Sequence, residues 1–217
     1  MKSENSKNVP MVVIRRLPRY YRYLGELLKQ GVTRISSKTL SEKMGVTASQ
    51  IRQDLNCFGG FGQQGYGYKI ENLYYEIGEI LGLSRGYKTV IVGAGNLGRA
   101  LANHAGFEKR GFRLMALFDN DEAVIGKQIH GLAIQPMDRL EEFFEKEGAD
   151  IAILAVPKSS VKEVADRLVA LGIKGLWNFS YTDIDVPEHV AVENVHLTDS
   201  LMTLAYKLTK EEMESKE

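Results

Sequence analysis

The sequence predicts an α/β protein in two parts: an N-terminal winged helix-turn-helix domain and a C-terminal Rossmann-like, doubly wound parallel sheet with a terminal helix. Three observations predict it. Thr89-Val90-Ile91-Val92 is a short β-branched run, followed by Gly93, Gly95 and Gly98 at G-x-G-x-x-G spacing, and Ala100-Leu101-Ala102 then opens a helical pattern. Strand, glycine turn, helix is the order that a dinucleotide fingerprint requires. Two short helical patterns, over residues 38–44 and 48–58, are separated by a turn containing Gly45, which is the helix-turn-helix arrangement. The charge is divided, with 13 Lys+Arg and 7 Asp+Glu in residues 1–85 against 15 and 21 in residues 86–217. A basic small domain joined to an acidic larger one suggests that the first meets a polyanion.

The 217 residues are 44% apolar, enough for real cores in one large or two small domains. There is no run of about 18 or more apolar residues, and the polar start MKSENSKNVP has no apolar run behind it, so neither a membrane span nor a signal peptide is expected. Cys57 is the single cysteine, which excludes an internal disulfide and fits a reducing cytoplasm. No spacing suggests a metal site.

In chain order, Leu17, Tyr20, Tyr21, Leu24, Leu27 and Leu28 recur at helical spacing from Val12 to Gly31, with Pro18 in the opening turn. The polar side of this helix carries Arg15, Arg16, Arg19 and Arg22, readable either as a solvated face or as phosphate contacts. Ser36-Ser37 is a plausible N-cap for the next helix, and Thr47 caps the one after it, whose inner face is Ile51, Leu55 and Phe58. Its outer side presents Ser49, Gln50, Arg52, Gln53 and Asn56. Gln and Asn pair bidentately with adenine and Arg with guanine, so this face can read bases, although a polar surface helix would look the same. Five glycines in residues 59–68, interleaved with Phe61, Tyr66 and Tyr68, predict a β-hairpin wing. Its tip, with Gln63, Gln64, Gly65 and Tyr66, can lie against a phosphate backbone or in a minor groove. Residues 71–83 form an amphipathic helix, and 82–86 a linker.

In the second part, Gly93, Ala94, Gly95, Asn96, Leu97 and Gly98 form the phosphate turn, and Leu101 to Phe107 the crossover helix. A strand over residues 112–118 ends in Asp119, 21 residues after Gly98. A carboxylate there accepts hydrogen bonds from an adenosine ribose diol and repels a 2′-phosphate, which predicts NAD(H), not NADP(H). Residues 150–156 make a continuous apolar run, as buried parallel strands require, ended by Pro157. A helix over 161–170 and a strand over 174–179 follow. Alternating strands and helices imply right-handed βαβ units whose ligands lie at the carboxyl ends of the strands, hence at Val156, Pro157, Asn178 and Phe179 as well. The pattern Leu201, Leu204, Ala205, Leu208 predicts a terminal helix, packed on its own domain or docked on a partner.

A winged helix joined to a Rossmann domain resembles the Rex family of bacterial redox-sensing transcriptional repressors, over essentially the whole chain. The matching stretches are Arg16-Leu17-Pro18-Arg19-Tyr20, Ile35-Ser36-Ser37, Ile51-Arg52-Gln53-Asp54-Leu55 with Phe58-Gly59 to Gly67-Tyr68, Val92 to Gly98, Phe118-Asp119, Trp177-Asn178-Phe179, and Val192-Glu193-Asn194-Val195. The resemblance implies a homodimer that binds an A/T-rich inverted-repeat operator when NAD+ is abundant and leaves it when NADH binds, with residues 1–85, 86–196 and 197–217 as DNA-binding, NAD(H)-binding and dimerisation segments. It implies that Arg16, Ser36 and Ser37 contact DNA alongside the outer side of the recognition helix and the wing. It also implies that the terminal helix is exchanged between subunits. Gln53 stands where many relatives have lysine. His104 and His196 stand where some relatives have Tyr and Asp linked to the arginine corresponding to Arg22; two histidines satisfied by backbone groups are the ordinary reading, and a switch that responds to pH is the alternative.

A small NAD-dependent dehydrogenase is the rival class. It needs an acid or base beside the nicotinamide and a substrate pocket. The segment after Pro157 offers only Lys158-Ser159-Ser160, and about 130 residues leave no substrate domain. A nucleotide sensor whose winged helix binds protein is the third class, and it would lack a steep salt dependence toward DNA.

Overall fold

The computed structural model describes residues 9–59, 62–63 and 66–214. They divide into two compact units at Arg85 and Gly86. In the first, α1 (Met11–Ile14) and α2 (Leu17–Lys29) replace the single helix expected from Val12. Pro18 lies in the first turn of α2, where its missing N–H costs nothing, but its ring excludes the carbonyl of Ile14 from a continuous helix. Next come β1 (Arg34–Ile35), α3 (Ser37–Met44), α4 (Ala48–Asn56), β2 (Gly62–Gln63), β3 (Gly67–Lys69) and α5 (Ile70–Ile80). Both expected caps are present: the Thr39 N–H donates to Ser36 Oγ at 3.0 Å and the Gln50 N–H to Thr47 Oγ1 at 3.1 Å. Each cap is worth about 1 kcal/mol. Gly45, at φ +63°, ends α3 in the left-handed conformation.

The wing is an antiparallel hairpin, and β1, too short to show a periodicity in sequence, adds to it in the order β1-β3-β2. Gly67 allows that pairing: at φ +68°, a Cβ there would stand 2.6 Å from the Ile35 carbonyl oxygen. Leu17, Tyr20 and Leu24 of α2, Leu40 and Met44 of α3, Ile51 and Leu55 of α4, and Leu73 and Ile77 of α5 form one core. Between α2 and α5, Tyr21 and Tyr74 stack with centroids 4.1 Å apart. Each ring lies over a glycine of the facing helix, Tyr74 over Gly25 and Tyr21 over Gly78, so side chains larger than hydrogen at those two positions would push the rings away.

The second unit has β4 (Tyr87–Val92), α6 (Asn96–Ala102), β5 (Phe112–Asp119), β6 (Gln128–Ile129), β7 (Leu132–Pro136), α7 (Leu140–Lys146), β8 (Ile151–Leu154), α8 (Lys158–Ala170), β9 (Gly175–Asn178), β10 (Ala191–Asn194) and α9 (Leu197–Glu214). The sheet order is β10-β9-β8-β4-β5-β7-β6, parallel except for the β6–β7 hairpin. The chain runs outward from β4 in one direction, then returns to β8 on its other side, so the topological switch point lies between β4 and β8. The crossover helix starts at Asn96 and not at Leu101, because its first turn is the fingerprint itself, and it ends at Ala102. Helix α8 begins at Lys158 directly after Pro157, three residues before the expected start. The edge strand β10 was not expected as a strand, its alternation over four residues being too brief to stand out.

Helix α9 presents Leu201, Leu204 and Leu208 at 64%, 50% and 55% exposure, so its apolar stripe is not packed on its own domain. No described helix is long and apolar enough to cross a membrane, and no three described His, Cys, Asp or Glu residues are grouped as metal ligands.

Candidate nucleotide site and nucleic-acid interface

The fingerprint turn is set between the two central strands. The Gly93 N–H donates to the Phe118 carbonyl at 2.9 Å and the Ala155 N–H to Val92 at 2.8 Å, which fixes the turn against both neighbours of β4. Each glycine has a separate reason. Gly93 has φ +97°, and a Cβ there would strike the Ala155 carbonyl; a Cβ on Gly98 would strike the Gly93 carbonyl, so the helix can lie this close to the strand only without a side chain. Gly95 differs: a Cβ there would meet nothing within 4 Å. Gly95 is exposed, and the open space it leaves lies at the N-terminus of α6, whose first N–H groups and positive end suit a pyrophosphate.

Asp119 terminates β5 beside this turn. Its Oδ2 accepts the Ala94 N–H at 2.5 Å and its Oδ1 the Asp121 N–H at 2.9 Å. A carboxylate has about four acceptor positions, so the pair that remains can take a ribose diol. Asn96 is exposed and accepts from Arg99 Nη2 at 2.7 Å, while Leu97 is half-buried. Val156 lies half-buried beside Gly93, and Pro157 is exposed at the start of α8. Phe179 is half-buried, with its ring 4.6 Å from that of Trp177.

Asn178 does not belong to this set. It is fully buried, its Nδ2 donates to the Thr182 carbonyl and to Asn194 Oδ1 at 2.8 Å each, and its Oδ1 accepts from the Ser180 N–H at 3.0 Å and Ser180 Oγ at 2.7 Å. With all four positions of the amide used inside the fold, none is left for a ligand. The residue holds the turn after β9 against β10.

In the first unit Arg16 is not a wholly free cation: its Nε and Nη2 donate to Asp54 Oδ2 and Oδ1 at 2.7 and 2.6 Å, so it braces the fold and only its remaining N–H groups are left for a phosphate. Gln50, expected to read a base, is half-buried and donates through Nε2 to the same carboxylate at 2.9 Å. Tyr20 Oη donates to it as well, at 2.6 Å. Burial pushes the Asp54 carboxyl up, but the hydrogen bonds from Arg16, Tyr20 and Gln50 outweigh it and hold the group below its ordinary range. Burial first, then the bond to Asp54, pushes the Tyr20 phenol up. Sequence reading missed Asp54. The signal was a carboxylate at the i+3 place of the stripe Ile51, Leu55, Phe58, facing inward.

The remaining outer residues are free to meet a partner. Ser49, Arg52 and Gln53 are exposed, and Arg52 Nη1 donates to Ser37 Oγ at 3.2 Å, linking the recognition helix to the start of α3. Ser36 is exposed but its hydroxyl is used in capping. Tyr66 is 71% exposed at the wing, whereas Gln64 and Gly65 lie outside the described residues. Of the proposed switch residues, Arg22 is exposed, the His104 ring is tilted against Phe107 with centroids 4.8 Å apart, and His196 Nε2 stands 3.2 Å from Asp183 Oδ1.

Both parts of the chain are similar to known proteins. Residues 8–56 match the family "Putative DNA-binding protein N-terminus" and residues 84–182 the family "CoA binding domain". The chain is 57% identical over 205 residues to the redox-sensing transcriptional repressor Rex of Thermoanaerobacter sp. (strain X514), covering 94% of this chain and 92% of that one. It is 58% identical over 201 residues to the Rex repressor of Clostridioides difficile (strain 630), covering 93% and 96%. The crystal structure of RSP in complex with β-NAD+ and operator DNA superposes with a TM-score of 0.89 at 55% identity, covering 97% of each chain. That of RSP with β-NADH gives 0.90 at 52%, covering 97% and 99%. With identity above half over nearly its full length, a fingerprint cradle in one unit and a helix-turn-helix with its wing in the other, the chain belongs to the Rex family of redox-sensing transcriptional repressors.

Proposed function

We propose that the protein binds A/T-rich inverted-repeat operators as a homodimer in the cytoplasm and leaves them when NADH occupies its Rossmann unit. The observation that carries this is the pairing, on one chain, of an open Gly95 cradle beside Asp119 with an exposed Ser49, Arg52, Gln53 face on the recognition helix. RSP complexes with operator DNA and β-NAD+, and with β-NADH, support it.

The turn from Gly93 to Gly98 would hold the pyrophosphate and Asp119 the adenosine ribose, with Val156 and Pro157 walling the site toward the nicotinamide. The nucleotide supplies the redox difference that is sensed. Coenzyme A, named in the domain family that matches, carries a 3′-phosphate on this ribose, and the Asp119 carboxylate opposes it as it opposes a 2′-phosphate. No acid or base is required of the protein, since it binds and does not transform its ligand. NADH moves the dimer off DNA only as far as it favours one dimer arrangement over the other. Two recognition helices must span successive major grooves, about 34 to 36 Å apart, and an arrangement that changes this spacing releases the operator. Arg22, His104 and His196 are the proposed relay, and His196 Nε2 stands 3.2 Å from Asp183 Oδ1 just before α9.

The test is fluorescence anisotropy of a labelled A/T-rich inverted-repeat duplex titrated with NADH and with NAD+. Release by NADH at concentrations where NAD+ has little effect supports the reading. Tight binding that neither nucleotide alters overturns it. Repeating the titration from pH 6 to pH 8 tests the histidines, and a flat response removes them from the relay.

A further inference from the structure

The outer face of the wing sheet carries two cations that oppose each other. In the β1–β3 register Arg34 stands directly across from Lys69, while the neighbouring pair, Ile35 and Tyr68, turns into the core. Directly opposed residues of an antiparallel pair project on one face, with Cβ atoms about 4.5–5.5 Å apart, and like charges there are destabilising. Lys69 is also the N-cap of α5, where the positive helix end disfavours a second positive charge. Both side chains are exposed, and both line a groove of about 440 Å³ that Glu71 and Asn72 share. Neither cation forms an ion pair with Glu71 or with any other described residue. Among the described residues, therefore, the wing sheet keeps a doubly positive spot without an ion-pair partner.

The spot adjoins the surface that meets DNA. Arg34 and Ser36 both face outward on either side of the buried Ile35, and Ser37, next in line, receives Arg52 of the recognition helix. On its other side Arg34 Nη1 donates to the Tyr66 carbonyl at 2.9 Å, tying β1 to the exposed turn of the wing. One nitrogen of the guanidinium is thus used for the brace, and its other donors remain available in a planar fork suited to phosphate oxygens.

We propose that Arg34 and Lys69 contact the phosphate backbone of the operator duplex beside the wing, an inference that rests on the operator-binding reading above. The contact is electrostatic and blind to base sequence, so its mark is salt dependence. In the full-length protein, whose dimer carries each substitution twice, Lys69→Gln and Arg34→Gln should each lower the slope of log affinity against log salt by about 1.8, equivalent to an affinity loss about twelvefold smaller between 50 and 200 mM salt. The loss should be equal on specific and scrambled duplexes. Arg34→Lys keeps the charge and should keep the slope. Lys69→Gln removes no side-chain hydrogen bond and relieves the opposed charge, so its unfolding midpoint should equal that of the parent protein or lie slightly above it. Parent protein that fails to bind the duplex overturns the operator reading and this inference together. Parent protein that binds with a steep slope, left unchanged by both Gln variants, overturns this inference alone and leaves Arg34 as a brace for the wing.

Discussion

Arg16 grips Asp54 through two parallel hydrogen bonds, joining the start of α2 to the recognition helix at a carboxylate with no solvent exposure. Tyr20 and Gln50 complete the shell, so among the described residues no buried side-chain polar atom there lacks a partner. The recognition helix is therefore positioned by its inner face as firmly as by the apolar core around Ile51 and Leu55. Breaking a buried pair by removing one partner is costly because the other charge is left behind. Asp54→Ala should destabilise the DNA-binding unit by about 3 kcal/mol, the lower end of the usual range for buried pairs, since Arg16 keeps 27% exposure and can rehydrate. Urea unfolding followed by circular dichroism checks it, and a shift under about 1 kcal/mol would mean the pair is decorative.

The same carboxyl sets an acid limit. Its folded pKa is lowered, so the stability it contributes is fully present above its unfolded value of 3.8 and is lost as pH falls through the folded one. The parent protein should lose stability below about pH 4 more steeply than Asp54→Asn, which is weaker at neutral pH but has no proton to bind at that position. Unfolding midpoints at pH 7, 5, 4 and 3 for the two proteins provide the comparison; parallel curves would sink the assignment.

Arg52 should carry base discrimination that Arg16 does not. Arg52 is exposed and held only by Ser37 at 3.2 Å, whereas Arg16 is committed to Asp54. Arg52→Met should cost about 1–3 kcal/mol in operator affinity and narrow the ratio of specific to non-specific binding. Arg16→Met should leave that ratio unchanged in whatever fraction remains folded. Anisotropy with operator and scrambled duplexes distinguishes the two.

Much of this was legible in the sequence. The fingerprint, the carboxylate at Asp119, the helix-turn-helix and its caps at Ser36 and Thr47 all rest on local spacing, which survives translation into structure. What was not legible depended on distant partners. Ser180 and Thr182 close most of the Asn178 amide from within four residues, but nothing near it in sequence says that Asn194 will take the last donor, and the strand end where ligands gather is also where a turn needs bracing. The bracing role of Arg16 was hidden for the same reason: four arginines on one predicted helix look alike until Asp54 arrives from another. The two-residue strand β1 exists only because β3 pairs with it.

Two glycines of the fingerprint should respond differently to one methyl group. Gly98→Ala drives a Cβ into the Gly93 carbonyl and should lower the unfolding midpoint of the Rossmann unit. Gly95→Ala meets open space, so the fold should be unchanged within about 0.5 kcal/mol, while NADH binding weakens by about tenfold or more because the methyl group occupies the pyrophosphate's place. Calorimetry for NADH and thermal unfolding separate the two effects. Unaltered NADH affinity in Gly95→Ala would remove the cradle from the nucleotide site.

The apolar stripe of α9 leads to the last expectation. Leu201 and Leu204 are 64% and 50% exposed on a helix whose described side chains all face solvent, and such a stripe is not left bare in water without cost. Its occupant in the operator reading is a second copy of this chain, since an inverted repeat is read by a two-fold pair of recognition helices. Replacing Leu201→Lys together with Leu204→Lys keeps two good helix formers but puts charge into that contact. The variant should sediment as a monomer where the parent protein sediments as a dimer, and its preference for a full inverted repeat over a single half-site should disappear while binding to the half-site persists. If it sediments as the parent does, the copies are held together by some other surface, and the stripe must meet a different partner.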